Sequence, residues 1–264
     1  MSIHSLAVVH PNAKIAPDVT VGPFSVIEDD VEIGPGSHIH SNVPIYAGSR
    51  LGKKVRVFPG AVIGGEPQDL KYRGEYTTTH IGDGTTIREY VTVNRGTAAA
   101  GKTVVGKNCL LMAYVHVAHD CILGDHIVMA GYSGVAGHVE LEDYVILEGQ
   151  VGVQQFLLIG KHSFIAGGSL VRKSVPPYVR AAREPLSYMG VNRIGLQRRG
   201  FHIDQINRIH EIYRILFVRG LNRTNAITEI EASVPISQER DDVIEFIAKA
   251  ERTGIIRSFN SLND

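Results

Sequence analysis

Aliphatic residues recur at every sixth position along most of the first two thirds of the chain. Counted in hexads from Val9, the first position is aliphatic ten times in succession, ending at Ile63. The fifth position of the same hexads is always small or β-branched, as at Ala13 and Ser25. A period of six fits neither an α-helix, with its period of 3.6, nor a plain alternating strand. It predicts a short strand followed by a turn, repeated many times.

Three hexads make one coil of eighteen residues, and successive coils stack at about 4.8 Å, as neighbouring strands do in a sheet. The predicted fold class is therefore mainly β, a parallel β-helix with a solid interior and nearly flat outer faces. Such a column contains no internal pocket. A ligand site must lie in an inserted loop or in the cleft between two copies, so we expect a homo-oligomer.

The repeat is interrupted twice, near residues 65–80 and near 96–104, and then continues to Val171. The first interruption, an insertion of about sixteen residues, carries Asp69 and Lys71. A long insertion in a strict solenoid is more often functional than decorative.

The last third of the chain has a different period. Apolar residues recur at helical spacing across 201–217, and further helical stretches are predicted near 224–233 and 238–252. The sequence therefore predicts a β-helix over residues 1–180 and a C-terminal helical domain over residues 181–264.

Charge is balanced overall, with 27 Lys and Arg against 27 Asp and Glu, which argues against general nucleic-acid binding. Residues 172–223 nevertheless carry eleven Lys and Arg against three Asp and Glu. This basic collar suits an acidic partner or a phosphorylated substrate, or it is a solvated helix surface.

No stretch approaches the ~18 apolar residues of a membrane span, so no stable membrane insertion is expected. The N-terminus lacks the features of a signal peptide. Cys109 and Cys121 both take fifth positions of hexads and are predicted to be small core residues. A reduced, cytoplasmic compartment fits this cysteine usage.

A polar column is predicted within the segment "YVHVAHDCILGDH", residues 114–126. His119 and Asp120 take the third and fourth positions of their hexad, which point outward. Gly137 and Gln155 follow His119 at intervals of eighteen residues, and His138 follows Asp120 at the same interval. These residues should therefore stack on successive coils, with the glycine leaving space beside the histidine.

A histidine outside the core and next to a carboxylate is suited to general base catalysis, because its pKa of ~6.5 lets it accept a proton near neutrality. Two alternatives remain open from the residues alone. One is that the histidines are surface residues without a role. The other is that His116, His119 and His138 form a zinc site like those of β-helix carbonic anhydrases.

Motifs along nearly the whole chain resemble one family. They are the hexads, "PQDLKY", "NRGT", "HVAHDC", "AGHV", "VPPY", "GVN" and "RRGF". The chain resembles the UDP-N-acetylglucosamine O-acyltransferases that begin lipid A, and hence lipopolysaccharide, biosynthesis. The resemblance implies a left-handed β-helix, a cytoplasmic homotrimer, and transfer of a long 3-hydroxyacyl chain from acyl carrier protein to the glucosamine 3-hydroxyl. It implies no metal and no cofactor, since acyl carrier protein brings the acyl group as a co-substrate.

The resemblance also assigns roles to individual positions. His119 matches the general base, Asp120 its orienting carboxylate, and Gly137 the residue whose N–H stabilises the oxyanion. Gly167 matches the position that limits acyl length, where a glycine implies a long chain. The other positions that match substrate-binding residues are Asp69, Lys71, His116, His138, Gln155, Asn192, Arg198 and Arg199.

Two positions depart from the family pattern. Gln154 stands where many members have histidine, and Ile194 where a glutamate often contacts the ribose.

Three rival functions remain. An acetyltransferase using acetyl-CoA on a sugar nucleotide would share the solenoid but not "PQDLKY". The later N-acyltransferase of the same pathway has an extra N-terminal domain, whereas the hexads here start at Val9. A non-enzymatic scaffold would leave the polar column and both insertions unexplained.

Overall fold

Short parallel strands dominate the structure, a computed structural model that describes residues 2–259. Most hexads form a strand of only two residues, because a turn follows at once. The strands are β1 Ser2–Ile3, β2 Val8–Val9, β3 Lys14–Ile15, β4 Thr20–Val21, β5 Val26–Ile27, β6 Glu32–Ile33, β7 His38–Ile39, β8 Pro44–Ile45, β9 Ser49–Leu51, β10 Arg56–Val57, β11 Val62–Gly65, β12 Thr78–Ile81, β13 Thr86–Ile87, β14 Thr92–Asn94, β15 Lys102–Val105, β16 Leu110–Leu111, β17 His116–Val117, β18 Ile122–Leu123, β19 Val128–Met129, β20 Gly134–Val135, β21 Glu140–Leu141, β22 Ile146–Leu147, β23 Gly152–Val153, β24 Leu158–Ile159, β25 Phe164–Ile165, β26 Leu170–Val171, β27 Val179–Ala182, β28 Ser187–Val191 and β29 Arg257–Ser258.

These strands form three sheets, one on each face of a prism. Sheet 1 has the order β1-β4-β7-β10-β13-β16-β19-β22-β25-β27-β28-β29, sheet 2 the order β2-β5-β8-β11-β14-β17-β20-β23-β26, and sheet 3 the order β24-β21-β18-β15-β12-β9-β6-β3. From β1 to β26, strands pair with the third strand before or after them, so Leu110 lies beside Val128 and His116 beside Gly134, eighteen residues apart. The predicted stacking of eighteen-residue coils is confirmed.

Side chains at the first and fifth positions of the hexads fill the prism. From Val19 onward these positions are buried, whereas Val9 and Ile15 are half-buried because they lie at the open N-terminal end. Both cysteines lie in the core as predicted. Burial raises the pKa of Cys109 to about 11 and that of Cys121 to about 12, so neither thiol is poised for reaction.

The two interruptions are loops that leave the coil register intact on either side. Arg56 pairs with Thr86, thirty residues on instead of eighteen, so the first loop adds twelve residues. Thr86 pairs with Leu110, twenty-four residues on, so the second loop adds six. The first insertion is thus shorter than the sixteen residues predicted, because β11 and β12 extend into it. The first loop covers residues 66–77, between β11 and β12, and the second covers residues 95–101, between β14 and β15.

At most corners of the prism, the fourth residue of the hexad has a left-handed backbone. Tyr114, Asp120 and His126 have φ values of 63°, 60° and 59°. Residues at equivalent corners stack along the column into ladders, such as Tyr114 on Tyr132, whose ring centroids are 4.8 Å apart.

As far as residue 259, the C-terminal region combines a hairpin with four helices: α1 Arg193–Arg198, α2 Ile203–Phe217, α3 Arg223–Ser233 and α4 Gln238–Lys249. The last three confirm the helices predicted from the spacing. The antiparallel pair β27–β28, which was not predicted, extends sheet 1 before the helices begin. The predicted boundary at residue 180 falls within β27 and stays a prediction. No helix within residues 2–259 is long and apolar enough to cross a membrane.

A buried carboxylate joins α4 to the β-helix. Asp242 accepts hydrogen bonds from Lys161 Nζ at 2.8 Å and from the Tyr178 hydroxyl. Burial alone would raise the pKa of Asp242, but these hydrogen bonds outweigh it and hold that pKa below its usual value. The charged aspartate therefore fixes the helical region against the last coils.

Candidate active site

His119 and Asp120 form a hydrogen-bonded pair at the corner between sheets 2 and 3. His119 Nδ1 lies 2.8 Å from Asp120 Oδ2, and the two side chains are 13% and 0% exposed. A carboxylate only accepts hydrogen bonds, so Nδ1 carries the proton and the lone pair of Nε2 is left free. This is the arrangement that a histidine base requires.

The second insertion holds Asp120 in place. The Thr97 N–H donates to Asp120 Oδ1 at 2.8 Å, and the Thr97 hydroxyl donates to Oδ2 at 2.6 Å. Asp120 in turn donates its own N–H to Thr103 Oγ1 at 2.8 Å. Burial acts to raise the pKa of Asp120, but hydrogen bonds from Thr97 and His119 outweigh it and lower that pKa. The carboxylate is therefore charged and oriented.

The next coil supplies the residues around the imidazole, as the eighteen-residue register predicted. A Cβ at position 137 would lie 2.6 Å from His119 Cε1, so only a glycine allows the ring to occupy this place. His138 Nε2 lies 3.6 Å from Asp120 Oδ2, and its ring stacks on Phe156 at 4.6 Å. Within the described residues, the Gly137 N–H has no acceptor, so it is free to bind a ligand.

An open groove of about 600 Å³ runs over sheet 2 beside this pair. Gly134 and Gly152 form its floor, because these two outward positions between His116 and Leu170 carry no side chain. An added Cβ would lie 3.7 Å from His116 Cβ at position 134 and 3.4 Å from Leu170 Cδ2 at position 152, which is ordinary van der Waals contact. A methyl group would therefore fit at either position, and the two glycines leave that volume to the groove. The principal side chains and glycines lining the groove are Gln68, His116, His119, Gly134, Gly137, Gly152, Gln154, Gln155, Leu170 and Arg172.

The groove brings together only part of the predicted set. His116, His119, Gly137 and Gln155 line it, whereas His138 contacts Asp120 behind them. Gln154, one of the two departures from the family pattern, also lines the groove. Ile194, the other departure, is exposed on α1 and does not line it.

The other predicted residues lie outside the groove. Asp69 and Lys71 are on the first loop, where Asp69 Oδ1 accepts the Lys71 N–H at 3.0 Å, and their neighbour Gln68 reaches the groove. Gly167 lies at the corner between sheets 1 and 2, and its N–H donates to Glu148 at 3.0 Å.

The predicted nucleotide-binding residues lie at a third place. Asn192 and Arg199 flank helix α1 and Arg198 ends it. The side chains of Asn192 and Arg199 contact the corner between sheets 3 and 1, not the groove beside His119.

Several contacts of this site were not predicted from the sequence. Thr97 was present only as part of the "NRGT" motif, and Thr92, whose Oγ1 lies 2.7 Å from His116 Nδ1, was not singled out. Phe156 could have been found, because it lies eighteen residues after His138.

The zinc-site hypothesis requires His116, His119 and His138 to converge, and only two of these three histidines do so. Ligand atoms of His119, Asp120 and His138 lie within 4.8 Å of one another, but His116 is not in this group. His116 instead bonds Thr92, and both oxygens of Asp120 already accept protein N–H or O–H groups. The expectation of no metal and no cofactor stays a prediction.

Comparisons with known proteins place the chain in a family. Residues 175–256 match the family described as UDP N-acetylglucosamine O-acyltransferase, domain 2, and residues 12–45 and 102–137 match the bacterial transferase hexapeptide repeat. An acyl-[acyl-carrier-protein]–UDP-N-acetylglucosamine O-acyltransferase of Xanthomonas oryzae pv. oryzae is 49% identical over 95% of this chain and 96% of its own. The chain belongs to the UDP-N-acetylglucosamine O-acyltransferase family.

Solved structures of the same family agree. LpxA of Bacteroides fragilis, a UDP-N-acetylglucosamine acyltransferase, is 46% identical with a TM-score of 0.95 over 96% of this chain and 99% of its own. The acyltransferase of Francisella novicida is 41% identical with a TM-score of 0.95 over 99% of this chain and 96% of its own. The predicted left-handed parallel β-helix with a C-terminal helical region is confirmed, as is the predicted membership of the family.

Proposed function

We propose that this protein transfers an acyl chain from acyl carrier protein to the 3-hydroxyl of UDP-N-acetylglucosamine, the first step of lipid A biosynthesis. The observation that carries the proposal is the fixed His119–Asp120 pair, whose free Nε2 lies beside an open groove. The names of the relatives supply the donor and the acceptor.

The reaction needs one base and one oxyanion donor. His119 Nε2 takes the proton of the sugar hydroxyl as its oxygen attacks the thioester carbonyl. The tetrahedral oxyanion is stabilised by the free Gly137 N–H, which is already in place before charge develops. The C–S bond then breaks, and the imidazolium returns its proton to the leaving thiolate of the carrier. Asp120 stabilises the imidazolium in between.

The thioester supplies an activated acyl group, so the chemistry calls for no metal or prosthetic cofactor. The glycine-floored groove suits an extended acyl chain, because it offers space without charged groups on its floor. A long 3-hydroxyacyl chain is therefore the proposed donor. The position that limits acyl length in the family is occupied by Gly167 and not by a bulky residue, which also supports a long acyl chain.

The proposed assembly is a homotrimer in the cytoplasm. Asn192, Arg198 and Arg199 lie at a different corner of the prism from His119, so one chain alone does not bring them to its own groove. A neighbouring copy, packed against sheet 2, would complete the site with these residues. The cytoplasmic location rests on the two unpaired, buried cysteines.

His119→Ala tests the proposal. Wild-type and variant are incubated with UDP-N-acetylglucosamine and a panel of acyl carrier protein thioesters or acetyl-CoA, and the products are weighed. We expect long-chain O-acylation by the wild type and a loss of roughly 10²–10⁴-fold in the variant, the usual contribution of a positioned base.

His10→Asn is the matched control, since His10 is exposed near the N-terminal end of the prism and does not line the groove. Its Nδ1 accepts the Asn12 N–H, a bond that the side-chain oxygen of asparagine can replace. Substantial turnover by His119→Ala would refute the base assignment. Transfer from acetyl-CoA alone would favour the rival acetyltransferase.

A further inference from the structure

An aromatic ladder at the corner between sheets 3 and 1 supports helix α1. His126 stacks on Tyr144 at 4.6 Å, Tyr144 on His162 at 4.8 Å, and His162 on Tyr178 at 5.6 Å. The ring of Phe201, just beyond α1, meets the edge of His162 at 5.0 Å. His162 is therefore held from three sides, with its ring orientation fixed.

His162 contacts two of the residues that the family resemblance assigns to nucleotide binding. Arg199 Nη1 lies 3.4 Å from His162 Nδ1, and Arg199 Nη2 donates to the Tyr144 carbonyl at 3.1 Å. The Asn192 side-chain amide donates to the His162 carbonyl at 2.9 Å, while its oxygen caps α1 by accepting from Gly195 N–H. Both ends of α1 are thus attached to this one corner.

The positive charge of Arg199 is oriented without being neutralised. Arg199 forms no ion pair within residues 2–259, and its acceptors are an imidazole nitrogen and a peptide carbonyl. Burial, together with Arg199 and Lys161, lowers the pKa of His162 to about 4, so the imidazole is neutral near pH 7 and can accept. A guanidinium has five N–H groups, so donors remain for a ligand.

A half-buried cation held by neutral groups is prepared to bind an anion. A carboxylate at position 162 would hold Arg199 equally well, but it would cancel the charge that a phosphate needs. A phenyl ring would keep the stacking and lose the acceptor. Histidine supplies both a neutral acceptor for Arg199 and a ring that stacks in the ladder.

We infer that His162 is a positioning residue for sugar-nucleotide binding, which aims the uncompensated Arg199 at the diphosphate of the substrate. The inference rests on the proposed function, because it takes the diphosphate of a sugar nucleotide as the ligand.

Three substitutions separate orientation from charge. His162→Asn keeps a neutral acceptor, since the asparagine Oδ1, like the histidine Nδ1, is bonded directly to Cγ and lies the same number of bonds from Cα. His162→Phe keeps only the stacking, and His162→Asp keeps the acceptor but adds a negative charge. All three residue types tolerate the left-handed backbone at position 162. Phe156, Asp120 and Asn108 each adopt this backbone at the fourth position of their own hexads, as His162 does.

The readouts are KM for UDP-N-acetylglucosamine, KM for the acyl carrier protein thioester, kcat, and the Kd of UDP by calorimetry. We expect His162→Phe and His162→Asp to raise the nucleotide KM and the UDP Kd about tenfold, the effect of one lost contact to a charged group. His162→Asn should stay within about threefold of wild type. The kcat and the donor KM should be nearly unchanged in all three.

Equal nucleotide affinity in His162→Asp and His162→Asn would overturn the inference, because charge would then not matter. Parallel changes in kcat and in both KM values would indicate a merely structural role and overturn it too. If His162→Phe fails to fold, the comparison of the other two variants decides. Wild-type protein that binds UDP but transfers no acyl group would refute the proposed function, while the calorimetric comparison would still test His162.

Discussion

Thr97 is expected to contribute to catalysis although it does not line the groove. Its hydroxyl donates at 2.6 Å to the carboxylate of Asp120, which is fully buried and bonded to His119. Thr97→Val removes this hydroxyl with little change of shape and leaves the backbone N–H bond to Asp120 Oδ1 in place. Asp120 would then hold the imidazole less firmly as the imidazolium forms.

The magnitude follows from the kind of bond. A hydrogen bond to a charged group contributes about 1.5–3 kcal/mol. Since about 1.36 kcal/mol corresponds to a tenfold change in rate, we expect kcat to fall roughly 10- to 100-fold if the whole contribution is felt in the transition state. KM for either substrate should change little, because Thr97 does not line the groove.

The assay is the initial rate of acyl transfer at saturating donor and acceptor, with thermal unfolding measured in parallel. Thr97→Ser is the control, since it keeps the hydroxyl that also accepts the Ala99 N–H at 3.2 Å. A Thr97→Val enzyme within twofold of wild type would refute the reasoning. So would a Thr97→Ser enzyme that is equally impaired, since the hydroxyl would then not be the cause.

Three further predictions concern acyl length, the carrier and pH. Gly167→Met should shift the preferred donor toward shorter chains in a competition among thioesters, and unchanged selectivity would reject the length-limiting role. Replacing Arg180 and Arg183 of the basic collar with alanine should raise KM for the carrier thioester but not for the nucleotide; if neither constant changes, the collar is solvated surface. Burial acts to raise the pKa of Asp242, but hydrogen bonds led by that from Lys161 outweigh it, so this pKa is lowered. The charged carboxylate therefore stabilises the fold fully above about pH 4, the usual pKa of an aspartate in the unfolded chain. This contribution to the free energy of unfolding is lost as the pH falls through the lowered pKa of the folded state. The difference in melting temperature between wild type and Asp242→Asn should therefore be full near neutrality and narrow below about pH 4; a constant difference would contradict this.

The sequence by itself determined the column and the order of residues along its outside. A period of six allows one packing of the interior, so burial, coil length and the stacking of Gly137 on His119 all followed from counting in eighteens. The helices of the C-terminal region followed in the same way from a period of 3.6.

Only the tertiary structure decided what joins these periodic parts. Thr97 reaches Asp120 from a loop, and Arg199 reaches His162 across thirty-seven residues that include a hairpin and a helix. Loops and domain contacts have no period, so sequence spacing does not fix which side chains they bring together. The structure also distributed the predicted site residues over all three corners, because the flat faces of a prism keep its corners apart. This separation makes a neighbouring copy part of the proposed site.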